Sequence, residues 1–175
     1  MGEEKKSLEL NQLIVAKLAQ EEFGISIAHV QEIINVPEIT RIPNLPDFVE
    51  GIINLRGRII PIVDLRKRFG FSVTQNNEDA RIIVTSLDKQ YVGLVADSVS
   101  EVIRISSESI EPVPSIISRI SSEYLCGVGK LDKRMIILLD LGKLLNTLER
   151  SQLKKVEKEI SADDNSLLRK DGKNE

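Results

Sequence analysis

The sequence predicts an all-β protein with short helices, organised as two related subdomains. Two observations predict it. Short apolar runs recur between tight-turn residues along most of the chain, and the chain repeats itself once. Residues 13–36 align without a gap onto residues 82–105, placing Val15 on Val84, Leu18 on Leu87, Gly24 on Gly93, Val30 on Val99 and Glu32 on Glu101. Residues 48–69 align likewise onto residues 124–145, placing Gly51 on Gly127, Leu55 on Leu131, Arg58 on Arg134, Asp64 on Asp140, Leu65 on Leu141 and Lys67 on Lys143. The second copy has the longer middle. A two-unit repeat is too short for a solenoid, so it implies two subdomains packed together, joined near the polar residues 74–79.

The elements follow in order. Residues 13–18 alternate with apolar side chains on both sides, as in a strand covered on both faces. Phe23, Ile25 and Ile27 alternate with small residues across the polar connection AQEE, which reads as a hairpin. Residues 52–55 and 59–65 form a second pair across Arg56 and Gly57, where glycine supplies the positive φ of a tight turn. Pro61 lacks a ladder donor, so its strand is expected at an edge or with a bulge. In the second half, residues 81–87 and 91–96 flank DKQ, residues 99–105 follow, and residues 125–131 pair with residues 135–139 across DK. Each half ends in a short helical pattern, DLRKRF or DLGKLL, with Asp64 and Asp140 as candidate N-caps. We expect one domain over residues 1–150 and a tail over residues 151–175. Leu153, Val156 and Ile160 give the start of that tail helical, amphipathic spacing, and disorder is expected beyond Asp163.

Composition excludes several classes. The chain has 175 residues, 41% hydrophobic and 29% charged, enough to build a core without disulfides or a structural metal. The net charge is -3 and the basic residues are scattered, so no positive face for nucleic acid is visible. No signal-type apolar segment opens the chain and no stretch approaches the roughly 20 apolar residues of a membrane span, so a cytoplasmic protein without membrane insertion is expected.

The inventory for catalysis is thin. His29, the one histidine, reads as a surface residue where a strand ends. Cys126, the one cysteine, lies in an apolar run and reads as an inert buried thiol. The fragment GVGK fails the spacing of a phosphate loop. No catalytic residue, cofactor or metal site is expected. Polar residues in unusual places draw more attention. NLRG, residues 54–57, puts the Arg56 guanidinium at a hairpin tip suited to gripping a carboxylate. In ITRIPNLP two prolines stiffen the segment that holds Thr40 and Arg41.

Taken together, EEFGISIAHVQEI, ITRIPNLPDFVEGIINLRGRIIPIVDLRKRFG, VGLVADSVSEVI and SSEYLCGVGKLDKRMIILLDLGKLLN resemble the CheW family of chemotaxis coupling proteins, in order from about Leu10 to Leu148. The resemblance implies two five-stranded SH3-like β-barrels packed side by side. It also implies a non-enzymatic adaptor, located at receptor arrays beneath the membrane, that couples the cytoplasmic tips of methyl-accepting chemoreceptors to the regulatory domain of the histidine kinase CheA. Whether copies also assemble with themselves in arrays stays open. By position, Val30 and Gly51 match the family's receptor groove, Thr40 and Arg56 its kinase contact, and Glu32 a salt-bridge partner for Arg56. Because KLDK replaces NLRG in the second half, a single arginine site is expected. Two rivals remain: a small-ligand-binding β protein, since older descriptions of the family invoke purine binding, and an enzyme. Calorimetry with nucleotides separates the first.

Overall fold

A computed structural model describes residues 10–72, 77–87, 89–115, 122–146, 149–155 and 158. The described residues form two sheets side by side, with a few short helices. Strand β1 is Leu10–Leu18, β2 Glu21–Ser26, β3 Val30–Asn35, β4 Val49–Leu55, β5 Arg58–Asp64, β6 Arg81–Leu87, β7 Gln90–Ala96, β8 Ser98–Ser106, β9 Ile110–Glu111, β10 Leu125–Leu131 and β11 Arg134–Leu139. One sheet has the order β8-β1-β2-β11-β10-β9, the other β3-β6-β7-β5-β4.

The repeat is reproduced strand for strand, but by exchange. Alignment pairs β1, β2 and β3 with β6, β7 and β8, and β4 and β5 with β10 and β11. Under that mapping the two sheet orders coincide, β9 apart. Each sheet therefore takes its central hairpin from one half of the chain and its remaining strands from the other. Register is conserved too: Leu138 faces Gly24 in the parallel pair β11·β2, and Ile62 faces Gly93 in β5·β7. Glu32 faces Val84, and Glu101 faces Val15. The expected join at residues 74–79 falls between β5 and β6 of a single sheet, so it is no boundary between the sheets.

Three apolar cores result. Ile53, Ile60, Ile62, Ile82 and Val84 pack together on one sheet. Leu13, Val15, Ile103, Ile105, Ile136 and Leu138 pack together on the other. The third core joins the sheets and includes Phe23, Phe69, Leu94, Ile137, Leu141 and Leu144. Strands lining two cores are apolar on both faces, as residues 13–18 foretell. At about 1.5–3 kcal/mol for each large side chain buried, this joint makes the two sheets one unit.

Local chemistry departs from expectation in three places. Asp64 caps the helix Leu65–Phe69, its Oδ1 accepting from the Arg66 N–H at 2.9 Å, but Asp140 makes no such bond before the helix Leu141–Leu144. Strand β5 is internal, between β7 and β4, and carries no bulge at Pro61. Counted from the hairpin, Pro61 opposite Ile52 is a non-hydrogen-bonded pair, and the β7 ladder starts only at Ile62, so no N–H is needed there. Finally, one sheet has a sixth strand, the two-residue β9. Its counterpart in the other is the isolated bridge of Thr40 to Ile52.

The helical residues 149–155 bring Leu153 into the joint, fully buried. Val156, Ile160 and residues 163–175, on which expectations for the tail fall, lie outside the described residues, as do residues 74–76 of the join.

Candidate functional site

Strand β3 is an edge strand whose two faces serve different surfaces. A bulge between Val30 and Glu32 switches the facing. Val30, partly buried, packs on the core between the sheets, whereas Ile34 packs on the core of its own sheet. Ile33 is left exposed, as is its repeat partner Val102 on β8. Val99, the repeat partner of Val30, packs on the same central core.

Across the sheet, the β4–β5 hairpin turns through Arg56 and Gly57, both with positive φ, 52° and 85°. Asn54 tightens the turn by accepting from the Gly57 N–H at 2.9 Å. The turn aims Arg56 back at β3, where its two terminal nitrogens donate to Glu32 Oε2 at 2.7 Å and Oε1 at 3.0 Å. This fork-to-fork geometry fixes the guanidinium although its side chain is 74% exposed. Beside it Arg58 lies over the Tyr91 ring, 3.9 Å from its centroid. These residues, with Leu55 and Ile60, line a groove of about 270 Å³.

Thr40 is exposed on the segment that crosses β4, exchanging two backbone bonds of 2.9 Å with Ile52. Gly51 lies beneath that crossing and is buried. A Cβ there would stand 2.7 Å from Ile39 Cγ2, with the Thr40 carbonyl oxygen closer still. Gly51 thus presents no side chain to a partner, and what it contributes is the course of the residues over it. Gly127 has the same duty under Glu111 and Ile110, each 2.9 Å from a Cβ at that position. The structure brings Glu32 and Arg56 together and places Thr40 above Gly51. Val30 faces the other way.

The second hairpin carries no arginine at its tip, as KLDK implies, yet its sheet holds a second arginine–glutamate pair. Arg134 donates to both carboxylate oxygens of Glu22 and pairs with Glu101 at 2.6 Å. Glu101 is the repeat partner of Glu32, and Arg134 that of Arg58. The glutamate is thus held by an arginine in both sheets, from different positions on the hairpin. Aligning the glutamates rather than the turn motifs reveals it.

Other candidates settle into structural places. His29 is exposed at the end of the short 3-10 helix Ile27–His29. Cys126 is not buried but exposed, at the bulge of β10. Its thiol nonetheless reaches the Leu138 carbonyl at 3.6 Å, and local burial, with Asp140 adding to it, raises its pKa and disfavours the thiolate. GVGK is plain strand within β10. Among the described residues no group of three or more His, Cys, Asp or Glu could hold a metal, and no helix is long and apolar enough to cross a membrane.

Comparison with known proteins places this geometry. Residues 12–149 match the family model of the CheW-like domain. The chain is 41% identical to the chemotaxis protein CheW of Klebsiella aerogenes over 84% of its own length and 89% of that protein's. It is 35% identical to the CheW of Treponema pallidum, covering 81% and 86% respectively. Among solved structures, the scaffolding protein TtCheW of Thermoanaerobacter tengcongensis superposes with a TM-score of 0.72 at 42% identity, over 79% of this chain and 90% of that one.

Proposed function

Since the chain belongs to the CheW family, we propose that it couples the cytoplasmic tips of methyl-accepting chemoreceptors to the regulatory domain of the histidine kinase CheA, within receptor arrays beneath the membrane. At the coarser level it is a non-catalytic chemotaxis adaptor, as its scaffold family is. The observation that carries the finer reading is the Arg56–Glu32 pair. An exposed arginine fixed by a bidentate partner at a tight turn contributes little to folding and much to a preorganised contact. Arg56, Glu32 and Thr40 lie on or beside the sheet face that would meet the kinase. Val30, turned towards the joint between the sheets, belongs to the receptor side, and Gly51 supports the crossing segment under Thr40 rather than touching a partner.

The test is calorimetric titration of the purified chain with the kinase regulatory domain and, separately, with a receptor cytoplasmic fragment. Binding to both, simultaneously, is expected. Binding to neither overturns the reading.

A further inference from the structure

Arg68 occupies a place that no partner contact explains. It lies on the helix Leu65–Phe69, yet its guanidinium reaches out of its own sheet. Nε donates to the Leu144 carbonyl at 3.0 Å, and a terminal nitrogen pairs with Glu149 Oε1 at 2.5 Å. The two side chains are 14% and 12% exposed, so this ion pair is largely shielded from water. The guanidinium also lies 5.6 Å from the Phe48 ring centroid and 5.0 Å from that of Tyr124. Phe48 and Tyr124 are aligned by the repeat, so Arg68 sits between equivalent aromatics of the two halves.

These contacts connect two segments far apart in sequence. On one side are the helical residues 149–155. Asn146 and Glu149 cap their start reciprocally, the Asn146 N–H donating to Glu149 Oε1 at 3.0 Å and the Glu149 N–H to Asn146 Oδ1 at 2.8 Å. Leu153 anchors the segment in the central core. On the other side is the stretch between β3 and β4 that carries Thr40. Its described backbone bonds are few: the Thr40–Ile52 pair and the Val49 N–H to Pro46. Its hold on the joint is through Leu45 and Phe48, both only partly buried.

We propose that Arg68 is a positioning residue that transmits the docking of residues 149–155 to the stretch 41–48, and through it to Thr40. Glu149 holds the guanidinium, the guanidinium holds the Phe48 ring by cation–π contact, and Phe48 fixes the end of the stretch. Neutralising Glu149 leaves a shielded cation with one carbonyl and two ring faces, which frees it to turn towards water and releases Phe48. The consequence for a partner rests on the reading of Thr40 as a kinase contact. The coupling itself does not.

Hydrogen exchange on the full chain tests it with Glu149→Gln and Arg68→Met. The amides of Thr40, Val49 and Ile52, which bond to or across the stretch, should exchange at least about tenfold faster in both variants, while those of β6 keep their protection. Arg68→Lys should also loosen the stretch, because an ammonium keeps the charge but neither stacks as a plane nor bonds Leu144 and Glu149 together. A merely structural Arg68 would instead lower protection everywhere. Should Arg68→Met unfold the chain, Glu149→Gln carries the test, since it leaves the guanidinium in place. Unchanged exchange at Thr40, Val49 and Ile52 in the folded variants overturns the proposal. Faster exchange with undiminished affinity for the kinase regulatory domain upholds the coupling and removes Thr40 from the contact.

Discussion

Glu32 and Glu101 occupy the same register position in the two sheets, each opposite a valine of the neighbouring strand and each paired with an arginine from the far hairpin. The arginines differ in origin. Arg56 reaches Glu32 from the hairpin tip with its side chain 74% exposed, whereas Arg134 starts two residues later in the equivalent hairpin, is 37% exposed and also holds Glu22. A shared glutamate thus supports a free-standing charged tip in one sheet and a brace between strands in the other.

That difference predicts the behaviour of Arg56→Glu. With no buried partner to abandon, the variant should melt where the parent does. Its affinity for the kinase regulatory domain should fall at least about tenfold, because a reversed charge meets a surface suited to a cation. Adding Glu32→Arg should recover part of the loss if the two side chains act as a unit. Unchanged affinity in the folded single variant returns Arg56 to the role of a solvated turn residue.

Gly51→Ala should behave oppositely. Its methyl would press on the Thr40 carbonyl and Ile39, and backbone cannot step aside as a flexible side chain can. A loss of about 2–3 kcal/mol of folding stability is expected in denaturant titration. Gly57→Ala, with open space around it and only its positive φ to strain, should cost about 1 kcal/mol. Equal losses would show that the crossing segment yields.

Much of this architecture was legible from particular residues. The alternation in residues 13–18 revealed burial on both faces, the Arg56–Gly57 turn gave the hairpin, and Asp64 gave a cap. Strand exchange was not legible, because aligning β1 with β6 says the two are alike and not which neighbour each pairs with. Strand β3 is hard to see in the sequence because, as a half-exposed edge strand, it mixes polar and apolar residues. Asp140 misled because its position matches Asp64 while its side chain makes no cap bond and lies 4.0 Å from Lys143. Arg134 was missed because comparison of NLRG with KLDK follows the turn rather than the carboxylate being gripped.

Two aspartates should give stability opposite dependences on pH. Burial alone would raise Asp97, but Arg66, whose Nε donates at 2.6 Å, and the Ala19 N–H at 2.8 Å outweigh it and hold the carboxyl below its ordinary value. Its contribution is therefore full above the unfolded value of about 3.9 and lost as pH falls through the depressed folded one. Asp64 is raised, first by burial and further by Glu50, so its carboxylate destabilises the fold at neutral pH and the penalty fades as pH falls towards about 3.9. Asp64→Asn keeps an acceptor for the Arg66 N–H, so it should stabilise at pH 7 and lose that gain in acid. Asp97→Asn should destabilise at pH 7, with the deficit shrinking below pH 4 or so. Urea melts across pH check both signs.

Gln90 is 5% exposed and, among the described residues, its amide nitrogen has no hydrogen-bond partner. Gln90→Met keeps the length and removes the stranded donor, so a gain of about 1–2 kcal/mol is expected, or roughly 2–4 °C in Tm per kcal/mol for a chain of this size. A lower Tm would mean that a water satisfies the amide.

Strand exchange makes the two halves of the chain depend on each other. The sheet β8-β1-β2-β11-β10-β9 has its central hairpin from the first half of the chain and its flanking strands from the second. The other sheet borrows β6 and β7 in return. Neither half can complete a sheet alone, and the core between the sheets is shared by strands of both. Unfolding should thus be a single transition, with calorimetric and van't Hoff enthalpies equal and with probes in either sheet melting together. Phe23→Ala tests this under stress. Phe23 is fully buried in the shared core and stacks on Phe69 with centroids 5.4 Å apart. Its removal should cost about 3–5 kcal/mol, lowering the one transition without splitting it. Two resolved transitions in the variant, one unmoved, would show that each sheet folds by itself and that the exchange of strands carries no mutual dependence.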